Sequence, residues 1–444
     1  MNNSKKGEKK AKKIIDLFNI KRNLVFSVII FLCSTLLLKF QFQFNLFISI
    51  ILSLLIIILI FLLLLRQFRN RLNKAGKEES WNDLYGQKIT NIPYFRNDII
   101  INSFKKNGDN YKEEIGEVYD GKDYPKTERN YYNIFIPYSS LKNKNGINRI
   151  MLFIHGGAWM HGKKENIQHL CFRYAKFGYI TATMNHTYIN NKNNESSIFR
   201  ILDEIRACIA DIKSQLKNEG FSQDDNKYEI ALGGISSGAH LSLLYGYSMK
   251  NSPIPVKFII NFVAPVTLDP EYWYYKKDGH LENIEPKDIE NAIKEKSIIK
   301  SKDELQFLKF MNCFIGNKYN NKDIKEMMIN KTIDKNNEKY KEMFKIAKYT
   351  FPDYYINKNS VPTLCIYAGE DSIVGVAQYS LLKKLSEKNG NKIELIYMKD
   401  SGHLIDSYET RDAMLAIRET HYQILNFAKT YFTYDEKELL LFNL

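Results

Sequence analysis

The sequence predicts an α/β fold built on a mostly parallel, doubly wound β-sheet. Short apolar runs, typical of strands that are buried on both faces, recur along the chain from Ile150 onward. The runs are Ile150–Ile154, Tyr179–Met184, Tyr228–Leu232, Phe258–Val263, Thr363–Tyr367 and Ile393–Tyr397. Helix-length segments lie between them, and this alternation favours parallel strands joined by helical crossovers. The predicted helices are Ile167–Lys176, Ser197–Lys217, His240–Met249, Ala377–Glu387 and Asp406–Tyr431.

The alternation begins with a hairpin pattern and is interrupted once. Ile115–Tyr119 and Tyr131–Ile136 predict two strands of a hairpin. Between Pro265 and Pro362 no strand pattern is found, and helical sequence rich in lysine and aromatic residues takes its place. We interpret about 270–350 as a helical cap over the carboxyl edge of the sheet, where open α/β folds place their sites.

Most of the positive charge lies in the amino-terminal part of the chain. Residues 1–77 hold fourteen Lys and Arg and two acidic residues, so they contribute +12 of the formal net charge of +14. The rest of the chain is close to neutral, which removes the main support for a nucleic-acid partner.

Two apolar runs within residues 1–77 predict a transmembrane helical hairpin. Phe44–Leu65 has 22 residues, enough for a hydrocarbon core that needs about 20. Leu24–Leu38 has 15 and needs Phe40 and a snorkelling Lys39 to reach across. A cleaved signal peptide is disfavoured because no small-residue cleavage site follows. Basic residues flank both runs, so the positive-inside rule places both flanks and the following domain in the cytoplasm.

The predicted organisation has four parts. They are a basic cytoplasmic tail (1–22), two transmembrane helices (23–65), a connector (66–112) and the α/β domain with its cap (113–434). In the connector, Trp81, Leu84 and Tyr85 favour a short amphipathic helix on the membrane surface.

A nucleophile-elbow pattern follows the strand at Tyr228–Leu232. Gly234-Ile235-Ser236-Ser237-Gly238 has the form G-x-S-x-G and precedes a helical segment. Glycines two residues before and after Ser236 permit close backbone approach and leave the hydroxyl exposed. Ser236 is therefore the candidate nucleophile.

A serine hydroxyl needs a base, a group that orients the base, and donors for the oxyanion. Asp371 and His403 each follow a predicted strand, and they supply the orienting acid and the base. Gly156 and Gly157 follow the strand at Ile150–Ile154 and, with the backbone N–H of Ser237, are the candidate oxyanion donors. His155 is expected to fix this loop by hydrogen bonding, and His240 to be a packed helix residue.

These motifs resemble those of α/β-hydrolases of the carboxylesterase kind, near the hormone-sensitive-lipase-like and feruloyl-esterase-like groups. His155–Trp159 and Gly234–Leu241 also resemble kynurenine formamidases and prenylcysteine methylesterases. The resemblance covers about 115–432 and implies serine-dependent hydrolysis of an ester or related acyl bond without a cofactor. The chain order Ser236, Asp371, His403 is the order in that family.

The chain departs from the family pattern in two loops. The spacing from Gly369 to Asp371 is one residue shorter than is common, so Glu370 stays open as the acid of the triad. Asn185–Tyr188 replaces the usual Asp-Tyr-Arg after the fourth strand, which leaves the packing of that loop open.

Three functions are compatible with these residues. The first is a membrane-anchored serine hydrolase that acts on acyl esters, and the second is an amide or formamide hydrolase or peptidase with the same triad. The third is a catalytically silent, membrane-bound interaction module. Tyr272–Tyr275 with Lys276 and Lys277 predicts an entrance for hydrophobic, small-to-medium acyl esters, or alternatively packs the cap.

No metal site is predicted, because the five cysteines are scattered and show no metal-ligand spacing. Buried free thiols are the interpretation that this pattern favours. The physiological ester and the oligomeric state do not follow from the sequence.

Overall fold

The computed structural model of the chain describes part of the sequence. The described residues are 81, 86–94, 129–189, 196–249, 251–267, 301–369, 371, 373–375, 377–398, 401–403 and 411–434. The chain divides into two units after Lys77, and the described residues all belong to the second unit. The predicted basic tail, both apolar runs, the strand at Ile115–Tyr119 and the cluster Tyr272–Tyr275 lie outside the described residues. Within the described ranges, no helix combines the length and the apolarity that crossing a membrane requires.

A single eight-stranded sheet organises the described part of the chain. Its strands are β1 (Gly86–Pro93), β2 (Tyr131–Pro137), β3 (Asn148–Ile154), β4 (Ile180–Met184), β5 (Tyr228–Ile235), β6 (Val256–Phe262), β9 (Thr363–Ala368) and β10 (Ile393–Met398). Their order across the sheet is β1-β2-β4-β3-β5-β6-β9-β10. β2 pairs antiparallel with β1 and β4, and the remaining neighbours are parallel. The six strands predicted from Ile150 onward are confirmed.

The predicted helices are also found between these strands. The described helices are α1 (Tyr138–Lys142), α2 (Gln168–Ala175), α3 (Ile198–Asn218), α4 (Ser237–Ser248), α5 (Ser301–Phe314), α6 (Asn321–Glu326), α7 (Glu338–Ala347), α8 (Ala377–Asn389) and α9 (Arg411–Tyr431). Ser197 caps α3, where its side chain accepts a hydrogen bond from the backbone N–H of Arg200.

The sheet has a core on each face, which confirms the doubly wound prediction. In β3, Ile150, Leu152 and Ile154 pack with residues of α3 and α4 on one face. Met151 and Phe153 point to the other face, toward residues of α2 and α9. Successive side chains of a strand alternate between faces, so an uninterrupted apolar run serves both cores.

The first strand of the sheet lies in the segment that was predicted as a connector. β1 pairs with β2 from Gly86 opposite Pro137 to Pro93 opposite Tyr131, with one irregularity in the register. The prediction that the α/β domain starts at 113 is therefore corrected, because the sheet already begins at Gly86. This strand is an edge strand with few apolar residues, so its pattern is weak.

Trp81 also belongs to the α/β domain. It was predicted to lie on a membrane-surface helix, but it is not helical. Its ring packs against Phe135 of β2 at 5.3 Å and against Phe172 of α2 at 6.1 Å between centroids. Trp81 therefore contributes to the same core as these two residues, and that prediction was wrong for Trp81.

Residues 301–362, the described part of the predicted cap and the segment that leads to β9, are largely helical. Besides α5, α6 and α7 they hold a small separate hairpin, β7 (Met328–Ile329) with β8 (Thr332–Ile333). Phe310 and Phe314 of α5 pack against Trp159, which follows the carboxyl end of β3. The described part of the cap thus lies against the edge of the sheet where the candidate residues are found.

Candidate active site

Ser236 occupies a strained turn between β5 and α4. Its backbone has φ 56° and ψ −121°, a left-handed conformation that costs a non-glycine residue about 1–3 kcal/mol. The Ser236 N–H donates to the carbonyl oxygen of Phe262 at 2.8 Å, and the Ser236 carbonyl accepts from the N–H of His240 at 3.0 Å. A strand and a helix therefore hold the turn from both sides, while the serine stays only half-buried.

The two glycines of the elbow are required by close backbone contacts. A Cβ on Gly234 would lie 2.4 Å from the carbonyl carbon of Gly238. A Cβ on Gly238 would lie 2.0 Å from the carbonyl oxygen of Ile154 at the end of β3. The G-x-S-x-G pattern thus packs the start of α4 directly on β3.

The loop after β3 passes over this elbow. A Cβ on Gly156 would lie 2.8 Å from the carbonyl oxygen of Ile235 and 3.3 Å from the Cβ of Ser236. Ser237 is the first residue of α4, so its backbone N–H has no intrahelical acceptor. The structure therefore brings Gly156 and Ser237 beside Ser236, with Gly157 next in the loop. Their role as oxyanion donors stays a prediction.

His155 fixes this loop by a hydrogen bond, as predicted. The side chain is fully buried, and its Nδ1–H donates to the carbonyl oxygen of Gly156 at 2.8 Å. Burial lowers the pKa of His155 to about 2, so the ring is neutral at physiological pH. Its ring stacks on that of His186 with 4.5 Å between centroids.

Arg129 supports the same loop, and no sequence motif pointed to it. Its guanidinium donates to the carbonyl oxygens of Gly162 at 3.0 Å and His186 at 2.9 Å. It also lies over the ring of Tyr188, 3.8 Å from the centroid. The loops after β3 and β4 are joined in this way by one side chain that stands just before β2.

The unusual sequence after β4 is accommodated by buried hydrogen bonds. The Asn185 side chain accepts from the backbone N–H of Lys164 at 2.6 Å. The backbone N–H of Thr187 donates to Glu204 at 2.7 Å. Burial lowers the pKa of His186 to about 4, so this ring is neutral as well.

His240 is a packed residue, as predicted, and both of its ring nitrogens are used. Nδ1 accepts a hydrogen bond from the indole N–H of Trp159 at 3.2 Å. Nε2–H donates to the carbonyl oxygen of Thr350 at 2.9 Å. Burial lowers the pKa of His240 to about 3.

Asp371 and His403 meet at the same edge of the sheet. Nδ1 of His403 lies 2.7 Å from Oδ2 of Asp371. Oδ1 of Asp371 accepts from the backbone N–H groups of Ile373 and Val374, each at 2.8 Å. The Asp371 side chain is fully buried and that of His403 is 12% exposed. The structure thus pairs Asp371 with the histidine, whereas Glu370 lies outside the described residues.

Parallel pairing explains why these residues share one edge. β3, β5, β6, β9 and β10 run in the same direction, so the loops that follow them meet at their carboxyl ends. The loops after β3, β5, β9 and β10 carry Gly156, Ser236, Asp371 and His403, respectively. The strand assignments and this rule of parallel sheets were enough to predict that these loops lie at one edge.

The cysteines of the described ranges, Cys171, Cys208, Cys313 and Cys365, are all buried. Burial raises the pKa of the Cys365 thiol to about 12, which keeps it protonated. Among the described residues, no group of three His, Cys, Asp or Glu is arranged to hold a metal ion. Cys33 lies outside those ranges.

Solved structures with a similar fold include several esterases. Esterase B from Lactobacillus rhamnosis HN001 is 12% identical with a TM-score of 0.50, and the match covers 82% of this chain and 93% of that chain. A truncated carbohydrate esterase from gut microbiota is 15% identical with a TM-score of 0.47, covering 78% and 99%. The planctomycete esterase Est2 of Thermogutta terrifontis is 16% identical with a TM-score of 0.43, covering 70% and 92%. At such low identity, the match to esterase B shows a shared fold.

The family assignment comes from the sequence itself. The BD-FAE family model matches residues 134–385, which is more than half of the 444-residue chain. No curated protein sequence is significantly similar to the chain. The matched segment includes the loop after β3, the elbow at Ser236 and the loop that holds Asp371. The chain therefore belongs to the BD-FAE family and is a carboxylic-ester hydrolase with an α/β-hydrolase fold.

Proposed function

We propose that the chain cleaves acyl esters by covalent catalysis, with Ser236 as nucleophile, His403 as general base and Asp371 as the group that orients His403. The observation that carries this proposal is the 2.7 Å contact between Nδ1 of His403 and Oδ2 of Asp371. It lies at the sheet edge that also presents Ser236 on a strained, half-buried turn. A nucleophile, a base and an orienting acid in this arrangement form a catalytic triad.

The direction of the His403–Asp371 hydrogen bond determines the first step. Nδ1–H donates to the carboxylate, which leaves the lone pair on Nε2 to accept a proton. Nε2 takes the proton of the Ser236 hydroxyl while Oγ attacks the ester carbonyl carbon. The backbone N–H groups of Gly156, Gly157 and Ser237 receive the negative oxygen of the tetrahedral intermediate.

The remaining steps return the enzyme to its starting state. His403 gives the proton to the leaving alcohol oxygen as the ester C–O bond breaks, and the acyl group stays on Ser236. A water molecule then attacks the acyl carbon while His403 accepts its proton. As the second intermediate collapses, its bond to Oγ breaks, His403 returns the proton to Oγ, and the carboxylic acid leaves.

Substitution of Ser236 tests the proposal. Ser236→Ala should lower turnover of a soluble acyl ester by several orders of magnitude and abolish labelling by a fluorophosphonate. Ser248→Ala is the matched control, because Ser248 lies in the same helix but only bonds the carbonyl oxygen of Leu244. Near-normal turnover by Ser236→Ala would refute the assignment. Absence of labelling in the unmodified protein would instead favour a catalytically silent module.

The substrate class follows from the same assay with a panel of compounds. We propose hydrophobic, small-to-medium acyl esters, since Met160 in the loop after β3 and Ile373 beside Asp371 are apolar side chains that are 37% and 54% exposed. Esters from acetyl to octanoyl are compared with N-formyl and peptidyl amides. Faster turnover of the amides would identify an amide hydrolase and refute the ester proposal.

We also propose that the apolar runs Leu24–Leu38 and Phe44–Leu65 anchor the enzyme, with the catalytic domain in the cytoplasm. The support is their length, apolarity and basic flanks in the sequence. The full-length protein should sediment with membranes, and a chain starting at Glu78, where the second unit begins, should stay in the supernatant. Equal sedimentation of the two would contradict the anchor.

A further inference from the structure

Trp159 and the residue before it have an unusual backbone conformation. Ala158 and Trp159 have φ of 50° and 60°, and two consecutive non-glycine residues in the left-handed region are unusual. Trp159 is nonetheless almost fully buried, and its carbonyl oxygen accepts from the N–H of Ile189 at 3.0 Å. Only Ala158 separates Trp159 from Gly157, so the position of Trp159 constrains how the N–H groups of Gly156 and Gly157 are aimed.

His240 supplies the polar contact of the Trp159 indole. The distance from Nε1 of Trp159 to Nδ1 of His240 is 3.2 Å, and the two rings are perpendicular with centroids 5.1 Å apart. His240 is fully buried and lies one helical turn after Ser236, whose carbonyl oxygen its backbone N–H binds. One residue thus contacts both the nucleophile turn and the oxyanion loop.

The opposite side of the His240 ring reaches the base of the cap. Nε2–H donates to the carbonyl oxygen of Thr350, three residues after α7 ends at Ala347. Phe314 of α5 packs against both rings, with centroids 4.8 Å from Trp159 and 6.1 Å from His240. The cap and the oxyanion loop therefore share a buried contact centred on His240.

We propose that His240 is a positioning residue that holds the oxyanion loop over Ser236 through Trp159 and ties this loop to the base of the cap. The inference rests on the proposed function. His240 does not touch substrate; it acts by keeping the donors of Gly156 and Gly157 aimed at one point. Aimed donors need no rearrangement when charge develops, and this is the source of their catalytic effect.

Histidine suits this position because one rigid ring presents an acceptor and a donor on different sides. Only the neutral ring with its proton on Nε2 fits both partners, since a proton on Nδ1 would face the indole N–H. Asparagine can place an amide oxygen near the site of Nδ1, and glutamine can place an amide nitrogen near that of Nε2. The asparagine variant therefore keeps the contact with Trp159, and the glutamine variant keeps the contact with Thr350.

The test compares His240→Asn, His240→Gln and His240→Leu in the full-length protein, with a soluble acetyl ester as substrate. We expect His240→Leu to lower kcat by about 10- to 100-fold, less than the loss of an oxyanion donor, while KM changes by less than about threefold. His240→Asn should keep most of kcat, and His240→Gln should resemble His240→Leu. A change confined to kcat marks an interaction that matters in the transition state.

Trp159→Phe provides the double-mutant cycle. It removes the indole N–H and keeps an aromatic ring between His240 and Phe314. If the hydrogen bond carries the effect, Trp159→Phe combined with His240→Leu should be no slower than either single variant. Multiplication of the two losses would overturn the proposal.

His421→Leu is the matched control for loss of a buried histidine. His421 lies in α9, and its Nδ1 is 2.7 Å from the hydroxyl of Tyr174. Tyr174 and α9 pack on the face of the sheet opposite Trp159 and Phe314. We expect this variant to lower the melting temperature without lowering kcat. Equal losses of kcat in His421→Leu and His240→Leu would refute a positioning role, as would a normal kcat in folded His240→Leu.

Two further outcomes are distinguishable. If His240→Leu does not fold, the kcat values of the other variants decide. A higher kcat for His240→Asn than for His240→Gln and Trp159→Phe supports the positioning role, and equal kcat values refute it. If Ser236→Ala retains turnover, the proposed function fails instead, and the ester is cleaved elsewhere. Loss of activity in Ser236→Ala with unchanged kcat in all His240 variants refutes the positioning role alone.

Discussion

The two halves of the candidate site are held in very different ways. On the oxyanion side, His155, His186, Trp159 and His240 are all buried, and each hydrogen-bonds to a partner from another segment or a neighbouring residue. On the acid–base side, Asp371 relies on two backbone N–H groups and on His403. His403 is partly exposed, and the neighbouring Ile373 is 54% exposed.

The chemistry of each half accounts for this difference. Oxyanion donors are effective when they are fixed before the charge appears, so a dense buried network is an advantage. A base that accepts a proton from serine and passes it to a leaving group has to serve two partners in turn. One strong contact with Asp371 sets the tautomer of His403 and leaves its other ring nitrogen, Nε2, accessible.

Asp371→Asn should produce the largest effect, because it changes the contact that sets the tautomer of His403. The amide oxygen would stay with the N–H groups of Ile373 and Val374, which turns the NH₂ group toward His403. Nδ1 must then accept, the ring proton moves to Nε2, and the base is lost. We expect kcat to fall by about 10⁴-fold with the fold intact.

Glu370→Gln is the matched control for that variant. The neighbouring carboxylate should be dispensable, so steady-state kinetics of the two variants decide which carboxylate orients His403. A crippled Glu370→Gln beside an active Asp371→Asn would move the orienting role to Glu370.

The same substitution made on both sides measures how closely each is packed. Gly156→Ala places a methyl group 2.8 Å from the carbonyl oxygen of Ile235, whereas a Cβ on Gly402, next to His403, meets nothing within 4 Å. We expect kcat to fall by about 10²- to 10³-fold for Gly156→Ala, since the loop must shift its donors. Gly402→Ala should stay within about twofold, and similar losses for both would contradict the comparison.

Acid should weaken the oxyanion side through its buried histidines. The folded pKa values of about 2, 4 and 3 for His155, His186 and His240 lie below the ordinary value of about 6.5. Unfolding therefore takes up protons below pH 6.5, and stability present above that pH is lost as pH falls, down to about 4 for His186, 3 for His240 and 2 for His155. At pH 5 each histidine should cost about 2 kcal/mol relative to pH 7.

Urea unfolding at pH 7 and pH 5 measures this loss. His186→Phe keeps an aromatic ring against His155 and removes one titrating group, so its loss between the two pH values should be smaller by about 2 kcal/mol. A variant that loses as much stability as the unmodified protein would show that His186 is not a buried neutral histidine.

The sequence predicted the parallel strands and the residues at their carboxyl ends well, because both depend on local patterns. Runs such as Ile150–Ile154 are uninterrupted since both faces of β3 are covered, and Asp371 and His403 follow such runs directly. The G-x-S-x-G glycines could be read from the sequence because their contacts are imposed by the turn itself.

The supporting residues could not be predicted in this way. Arg129 acts through the carbonyl oxygens of Gly162 and His186, which are far from it in sequence and carry no side-chain signal. β1 is an edge strand with mixed polarity, so its pairing with β2 follows from the tertiary fold rather than from its residues. Contacts with backbone atoms of distant residues do not depend on which side chains those residues carry, so the sequence pattern does not predict them.

The burial of α4 has a consequence for how the protein opens. Eleven of its twelve residues are buried, so the helix that begins at the nucleophile has almost no face toward solvent. A helix enclosed on all sides cannot fray independently, and its amide hydrogens should exchange with solvent only when the whole domain unfolds. The exchange rates of Leu241 to Leu244 would then report the global stability of the domain. The turn that holds Ser236 would persist as long as the domain stays folded.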